Sequence, residues 1–230
     1  MVETVWNEQY KKTGVFAQRL YPNEALLCFL GGSEHLFGKD KHPKILELGC
    51  GSGANLWMMA KEGFEVSGID ISPEGIEIAK NHLYGKWGVH AKELKVGSFT
   101  NIPFEDGLFD YVVDIVSMQH IDLNDSRIAL KEVNRVLKKK GKFFSYRLSD
   151  HSAMYLSGGG QRIDAVTLDN ISDDSMPLNN NKTISFWSPE RVVEEYTNAD
   201  FSVEEIERYT RTYNNGLISV EYLAITGVKE

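Results

Sequence analysis

Glu47, Gly49, Gly51, Gly53 and Asp70 are the residues whose types and spacing announce chemistry in this 230-residue chain. An apolar run, Ile45–Leu48, ends in three glycines spaced two apart, and a helix-like stretch follows at once. That order reads as a strand, a tight turn and a helix N-terminus. Glycines lack a Cβ, so the turn can take positive φ angles and a ligand can approach the backbone closely. The free N–H groups at the helix start attract anionic or polar ligand groups. Such a turn binds a nucleotide-like cofactor. Asp70 follows at about the 20-residue spacing of a carboxylate that binds ribose hydroxyls.

The identity of that cofactor is open at this point. Gly49-x-Gly51-x-x-Ala54 also fits the dinucleotide fingerprint, so an NAD-dependent oxidoreductase stays a competing reading. Glu47 shifts the balance. A carboxylate at the strand end repels a pyrophosphate but suits an ammonium or a sulfonium charge.

These residues need elements to position them. Short apolar runs at Ile45–Leu48, Phe64–Ile69, Leu94–Val96, Tyr111–Val116 and Lys142–Arg147 read as strands. Between them lie helices at Asn55–Glu62, from Pro73 behind a Ser72 cap, and from a cap at Asn124 or Asp125 through Leu137, with Gly141 closing it. The Lys138-Lys139-Lys140 run then suits a helix C-terminus. Residues 4–12 and 22–37 read as two further helices. Phe201–Tyr209, the Asn214-Asn215-Gly216 turn and Leu217–Val228 read as a hairpin. The expected fold is α/β and doubly wound: a mostly parallel seven-stranded sheet, an antiparallel C-terminal edge hairpin, helices on both faces and an N-terminal helical cap. Within this single domain, residues 1–40 form the cap and 41–148 the cofactor-binding core. Residues 149–185 form a candidate substrate lid, and 186–230 the C-terminal helix and hairpin.

In these blocks the chain resembles the class I S-adenosylmethionine-dependent methyltransferases. Residues 45–56 resemble that family's first motif, and Gly68-Ile69-Asp70-Ile71-Ser72 its second strand with the ribose-binding acid. Val96-Gly97-Ser98-Phe99, Ile102-Pro103-Phe104 and Phe109–Val113 resemble its third and fourth strands. Glu132–Lys138 and Gly141-Lys142-Phe143 resemble the helix and turn before its fifth. The resemblance implies S-adenosyl-L-methionine as cofactor, with S-adenosyl-L-homocysteine as product. It implies a cofactor site of Glu47, Gly49, Cys50, Gly51, Gly53 and Asn55 in the first loop, with Asp70, Ile71 and Ser72 after the second strand. Ser98 and Phe99 would edge the adenine, and the backbone of Val116 and Ser117 would meet the methionine part. Many relatives carry an acid where this chain has Ser98; a serine hydroxyl accepts a weaker hydrogen bond. Trp6, Tyr10 and Arg19 lie on the N-terminal helices, which in such proteins close over the cofactor; Arg19 can pair with the methionine carboxylate.

Methyl transfer is an in-line displacement, and a base is needed only where the acceptor holds its proton. His120, just past the fourth strand, is the first candidate for base or acceptor-orienting group. Arg147 and His151 follow the fifth strand. Arg147 could bind an acidic substrate group, and His151 beside Asp150 could be a base with its orienter. Tyr155, Phe186 and Trp187 could line an acceptor pocket.

Lys plus Arg number 25 and Asp plus Glu 33, a formal charge of −8, which disfavours nucleic acid as a partner. Two cysteines, Cys28 and Cys50, are too few for a disulfide framework or structural zinc, and no metal site is expected. No signal peptide or membrane span is read, so a cytoplasmic location and no membrane partner are expected. The expected function is methyl transfer to a small-molecule hydroxyl or amine of a sugar or natural-product-like metabolite, by a monomer or homodimer. A non-catalytic, methyltransferase-like partner subunit is the third reading.

Overall fold

The period-two alternation of a strand sends Ile45 to one face of the central sheet and Leu46 to the other, and both are fully buried. The computed structural model describes residues 2–32, 42–171 and 183–230. Helices α1 (Val2–Thr13) and α2 (Glu24–Gly31) precede β1 (Lys44–Leu48). Then follow α3 (Leu56–Lys61), β2 (Glu65–Asp70), α4 (Pro73–Trp87), β3 (Glu93–Val96), β4 (Phe109–Ile115), α5 (Leu123–Val136) and β5 (Leu137–Leu148). The chain ends with α6 (Ala153–Leu156), the short strands β6 (Gln161–Arg162), β7 (Thr167–Asp169) and β8 (Ile184–Ser185), α7 (Pro189–Thr197), β9 (Phe201–Tyr213) and β10 (Ile218–Lys229).

The main sheet has the order β3-β2-β1-β4-β5-β10-β9. β1 pairs in parallel with β2 and β4, β2 with β3, and β4 with β5. Only β10 runs against its neighbours, β5 and β9. This is the doubly wound sheet with an antiparallel C-terminal hairpin that the sequence led us to expect. One core packs α2, α3 and α4 against Ile45, Val66, Val113 and Phe144. The other packs α5 and α7 against Leu46, Ile69, Val112 and Phe143. The chain winds outward from β1 through β2 and β3, then crosses back to β4. The carboxyl ends of β1 and β4 therefore flank the point where strand order reverses, which is where such sheets bind ligands.

Three local expectations are corrected. Helix α2 stops at Gly31, where the Gly32 N–H bonds back to the Cys28 carbonyl at 3.0 Å. The expected continuation over 33–37 lies outside the described residues. Asp122, not Asn124 or Asp125, caps α5, its carboxylate accepting from the Asp125 N–H at 2.8 Å. That helix ends at Val136, because the buried Leu137 is already extended. The three lysines thus belong to the start of β5 and not to a helix end, and Lys138 bonds Asp110 at 2.7 Å.

Candidate functional site

A cavity of about 430 Å³ opens at the carboxyl ends of β1, β2 and β4, beneath α1 and the 3₁₀ turn that follows it. Its size falls within the usual range for small-molecule sites. Two loops form its floor. After β1, Gly49 turns with φ +64° and Gly51 with φ +50°. A Cβ at Gly49 would overlap the Ser117 side chain, and one at Gly51 would overlap the Gln18 carboxamide and the Tyr10 hydroxyl. The glycines therefore let the loop after β4 and the N-terminal segment close on this loop. Ser117 donates from Oγ to the Gly49 carbonyl at 3.3 Å, tying the two loops together. Val116 itself takes φ +57°, an uncommon conformation for a β-branched residue.

Asp70 ends β2, is 5% exposed and lines the cavity. It accepts from the Gly51 N–H at 2.9 Å and the Ser72 N–H at 2.8 Å. Burial raises its pKa, and the backbone hydrogen bonds oppose that rise. Both carboxylate oxygens keep lone pairs beyond those two bonds. Glu47 is 2% exposed. One oxygen accepts from Asn55 Nδ2 at 2.5 Å; the other, Oε2, is buried with no hydrogen-bond partner. Burial pushes the Glu47 carboxyl up to about 8, with Asn55 and Arg19 pulling the other way. Arg19 lines the same cavity, and burial lowers its pKa against the pull of Glu47.

A cavity that takes a ligand ammonium beside Glu47 must take up an ionised carboxylate there. At pH 7 the Glu47 carboxyl is mostly protonated, so such binding releases a proton. We expect calorimetric titration with S-adenosylmethionine to show proton release at pH 7, and at pH 9 net uptake instead, because the ligand's amine, with a pKa of about 7.7–8.0, must then be protonated to bind as an ammonium. Affinity should rise by up to about tenfold per unit between about pH 6 and 7.5. Stability of the unliganded protein runs the other way. The folded state holds this proton more tightly than the unfolded state, so stability falls as pH rises from 4.5 toward 8. Proton uptake on binding at about pH 7, or a flat pH dependence between about pH 6 and 7.5 that Glu47→Gln leaves unchanged, would remove Glu47 from the site.

The opposite wall carries His120, in a 3₁₀ turn, Met118–His120, after β4. Asp114 builds that turn: it is fully buried and accepts from the Ser117 and Met118 N–H groups at 3.0 and 2.9 Å. His120 Nδ1 lies 3.0 Å from the Thr183 carbonyl. A carbonyl only accepts, so Nδ1 carries hydrogen and the lone pair of the neutral ring sits on Nε2. Trp6 packs edge-on against the imidazole, with centroids 5.1 Å apart.

Of the residues singled out from sequence, Trp6, Arg19, Glu47, Gly49, Cys50, Asn55, Asp70, Ile71, Ser98, Phe99, Val116, Ser117 and His120 line this one cavity. Ser98 spends its hydroxyl locally, on Thr100 Oγ1 at 2.9 Å and the Thr100 N–H. Gly51, Gly53, Tyr10 and Ser72 are not among the lining residues. Ser72 caps α4, and Tyr10 is 1% exposed under the glycine loop. Two expected catalytic groups do not reach the cavity. His151 is an exposed side chain, 3.4 Å from Glu221 and 3.5 Å from Asp150. Arg147 is 1% exposed in the core, its guanidinium 3.6 Å above the Trp187 ring. Phe186 and Trp187 are fully buried core residues. The described part of the expected lid, residues 149–171 and 183–185, contributes no lining residue; β6, β7 and β8 instead form a small antiparallel sheet. Residues 172–182 lie outside the described residues. Gln18, Gln119, Asp125 and Tyr222 line the cavity unforeseen. Their only sequence signal was proximity to singled-out neighbours, and Tyr222 had none.

A methyltransferase-domain family profile matches residues 45–141. Over residues 45–141 the chain is thus similar to methyltransferase domains, in keeping with its resemblance to the class I S-adenosylmethionine-dependent methyltransferases. Sterol 4-C-methyltransferase strm-1 of Caenorhabditis elegans is 34% identical over 104 residues, which are 45% of this chain and 30% of that protein. Ajmaline N-methyltransferase of Rauvolfia serpentina is 34% identical over 113 residues, 48% of this chain and 37% of its own length. The matched stretch thus spans roughly a third of these curated relatives. A solved S-adenosylmethionine-dependent methyltransferase structure from Methanosarcina mazei superposes with a TM-score of 0.69 at 22% identity, over 86% of this chain and 97% of that one, and shares the fold. The dinucleotide reading of the glycine turn is therefore set aside. Among the described residues, no helix is long and apolar enough to cross a membrane.

Proposed function

We propose that this methyltransferase transfers a methyl group from S-adenosylmethionine to a hydroxyl or amine of a small-molecule acceptor. The observation that carries this reading is that His120 lines the same cavity as Glu47 and Asp70, with its tautomer set by the Thr183 carbonyl. The residues fit the cofactor. The partnerless Glu47 oxygen suits its ammonium and Arg19 its carboxylate; Asp70 suits the ribose diol; Ile71 and Phe99 suit the adenine. When bound, the cofactor supplies a methyl group already activated by a sulfonium, whose sulfur keeps the electron pair of the broken bond. His120 Nε2 takes the proton that the acceptor oxygen or nitrogen gives up. Trp6 and Ile121 exclude water, and Gln119, Asp125 and Tyr222 offer polar contacts to the acceptor. A small-molecule acceptor is supported by the size of the cavity, by the chain's charge of −8, and by relatives named for a sterol and for ajmaline.

The test is transfer of radiolabelled methyl from S-adenosylmethionine to a panel of alcohols and amines on sugar, aromatic and polycyclic scaffolds. Label is expected in an alcohol or amine. Calorimetric binding of NAD with none of S-adenosylmethionine would overturn the proposal, as would label found only in protein or nucleic acid.

A further inference from the structure

Arg147 does not touch the cavity, yet its placement is costly for a residue that only fills space. Its guanidinium is 1% exposed, has no carboxylate within salt-bridge distance among the described residues, and leaves Nε without a hydrogen-bond partner. Burial lowers its pKa to about 10, so it stays charged at neutral pH. An apolar side chain of similar volume would pack here without that desolvation cost.

What the charge touches leads back to the site. Arg147 Nη2 donates to Ser185 Oγ at 2.8 Å. A hydroxyl that accepts from arginine must aim its own hydrogen elsewhere, and the Gln119 carbonyl stands 3.3 Å away. Arginine cannot accept, so the direction of this chain is fixed: guanidinium to hydroxyl to carbonyl. The Gln119 side chain is held as well, its Oε1 accepting from the Leu148 N–H at 3.2 Å. Two residues before Ser185, the Thr183 carbonyl meets His120 Nδ1 at 3.0 Å. The segment entering β8 therefore grips the turn twice, once at the backbone before His120 and once at its ring. Asp114 holds the same turn at Ser117 and Met118, with Ser145 Oγ on its second oxygen at 2.8 Å.

We propose that Arg147 and Ser185 are positioning residues: a buried guanidinium–hydroxyl relay that seats β8 on the Gln119 carbonyl and thereby fixes the orientation and tautomer of His120. The relay itself is a statement about this turn; its catalytic meaning rests on the base role proposed for His120. Thr183 is also tied to Asp169 Oδ1 at 3.1 Å and β8 to β7, so losing the hydroxyl removes one of the two ties that bind this segment to the turn, and the imidazole then holds less firmly the carbonyl that selects its Nδ1–H form.

The test is long-range proton–nitrogen NMR of the histidine rings in the full chain, with His120 assigned by its loss in His120→Gln. The wild type is expected to hold the Nδ1–H tautomer, and Ser185→Ala to lower its population from nearly all to about half. Arg147→Met, which keeps much of the volume, should act in the same direction. Affinity for S-adenosylhomocysteine should stay within about threefold in Ser185→Ala, since Glu47, Asp70 and the glycine loop are untouched. An unchanged His120 tautomer in Ser185→Ala overturns the relay. So does a tautomer change accompanied by an equal collapse of cofactor affinity, which marks general loosening. A shifted tautomer with undiminished methyl transfer leaves the relay standing and overturns the base assignment instead.

Discussion

Asp70→Ala is expected to weaken cofactor binding by orders of magnitude and to lower the thermal midpoint of the free protein at the same time. Both effects come from one carboxylate. In the free protein it satisfies the Gly51 and Ser72 N–H groups at 2.9 and 2.8 Å. Removing it leaves two buried donors unpaired, at about 1–3 kcal/mol each where water cannot reach them. For a chain of this size that corresponds to a fall of roughly 4–24 °C. The binding loss is separate. A ribose diol bonded to a carboxylate makes two charge-assisted hydrogen bonds, each worth about 1.5–3 kcal/mol, so the dissociation constant should rise by about 10²–10⁴-fold. Asp70→Asn tells the two apart from packing. It keeps the shape, but its NH₂ must face one of the two N–H donors or the diol, so it should recover little of either effect. Calorimetric titration with S-adenosylmethionine and a thermal melt of the same samples read both numbers. Retained affinity in Asp70→Ala would remove this carboxylate from the cofactor site.

The sequence made the sheet legible because its period is short and its strands are apolar. Leu46 and Ile45 alternate without ambiguity, and Ser72-Pro73 starts a helix by chemistry that owes nothing to distant contacts. The Lys138–Gly141 stretch was misread because its outcome is tertiary. Leu137 continues the helical spacing of α5, but it is extended instead, pairing with Phe109 as β5 begins. The site divided the same way. Residues fixed by a local motif, such as Glu47, Gly49 and Asp70, meet in one cavity. Residues chosen only for standing after β5 do not. Both faces of β5 are covered from Phe143 to Leu148, so Arg147 is buried, while His151, three residues past the strand end, emerges into solvent. Tyr222 reaches the cavity from the antiparallel β10, a juxtaposition that only the sheet order creates. Thr183 is similar: its contribution to His120 is a backbone carbonyl, which no residue type announces.

His120→Gln is expected to leave cofactor affinity within about threefold of wild type and to lower the methyl-transfer rate by about 10²–10⁴-fold, the range of a lost general base. Glutamine is the informative replacement. Its NH₂ can still donate to the Thr183 carbonyl, so the turn that Asp114 anchors keeps its shape, yet it cannot take a proton. The affinity half follows from geometry, since Glu47 and Asp70 end β1 and β2 while His120 follows β4. The rate half carries a pH signature. A histidine base must be neutral to act, so the wild-type rate should fall on the acidic side, and that limb should disappear in the variant. A smaller substitution sharpens the argument. His120→Ala leaves a gap beside the Trp6 ring, which stood 5.1 Å from the imidazole, and added imidazole should restore part of the lost rate by occupying it. A purely structural histidine gives a different pattern: reduced cofactor affinity, an acidic limb that persists and no response to imidazole. Near-wild-type rates in His120→Gln would show instead that the acceptor arrives with its lone pair already exposed, and that alignment in the cavity is the larger part of the protein's contribution.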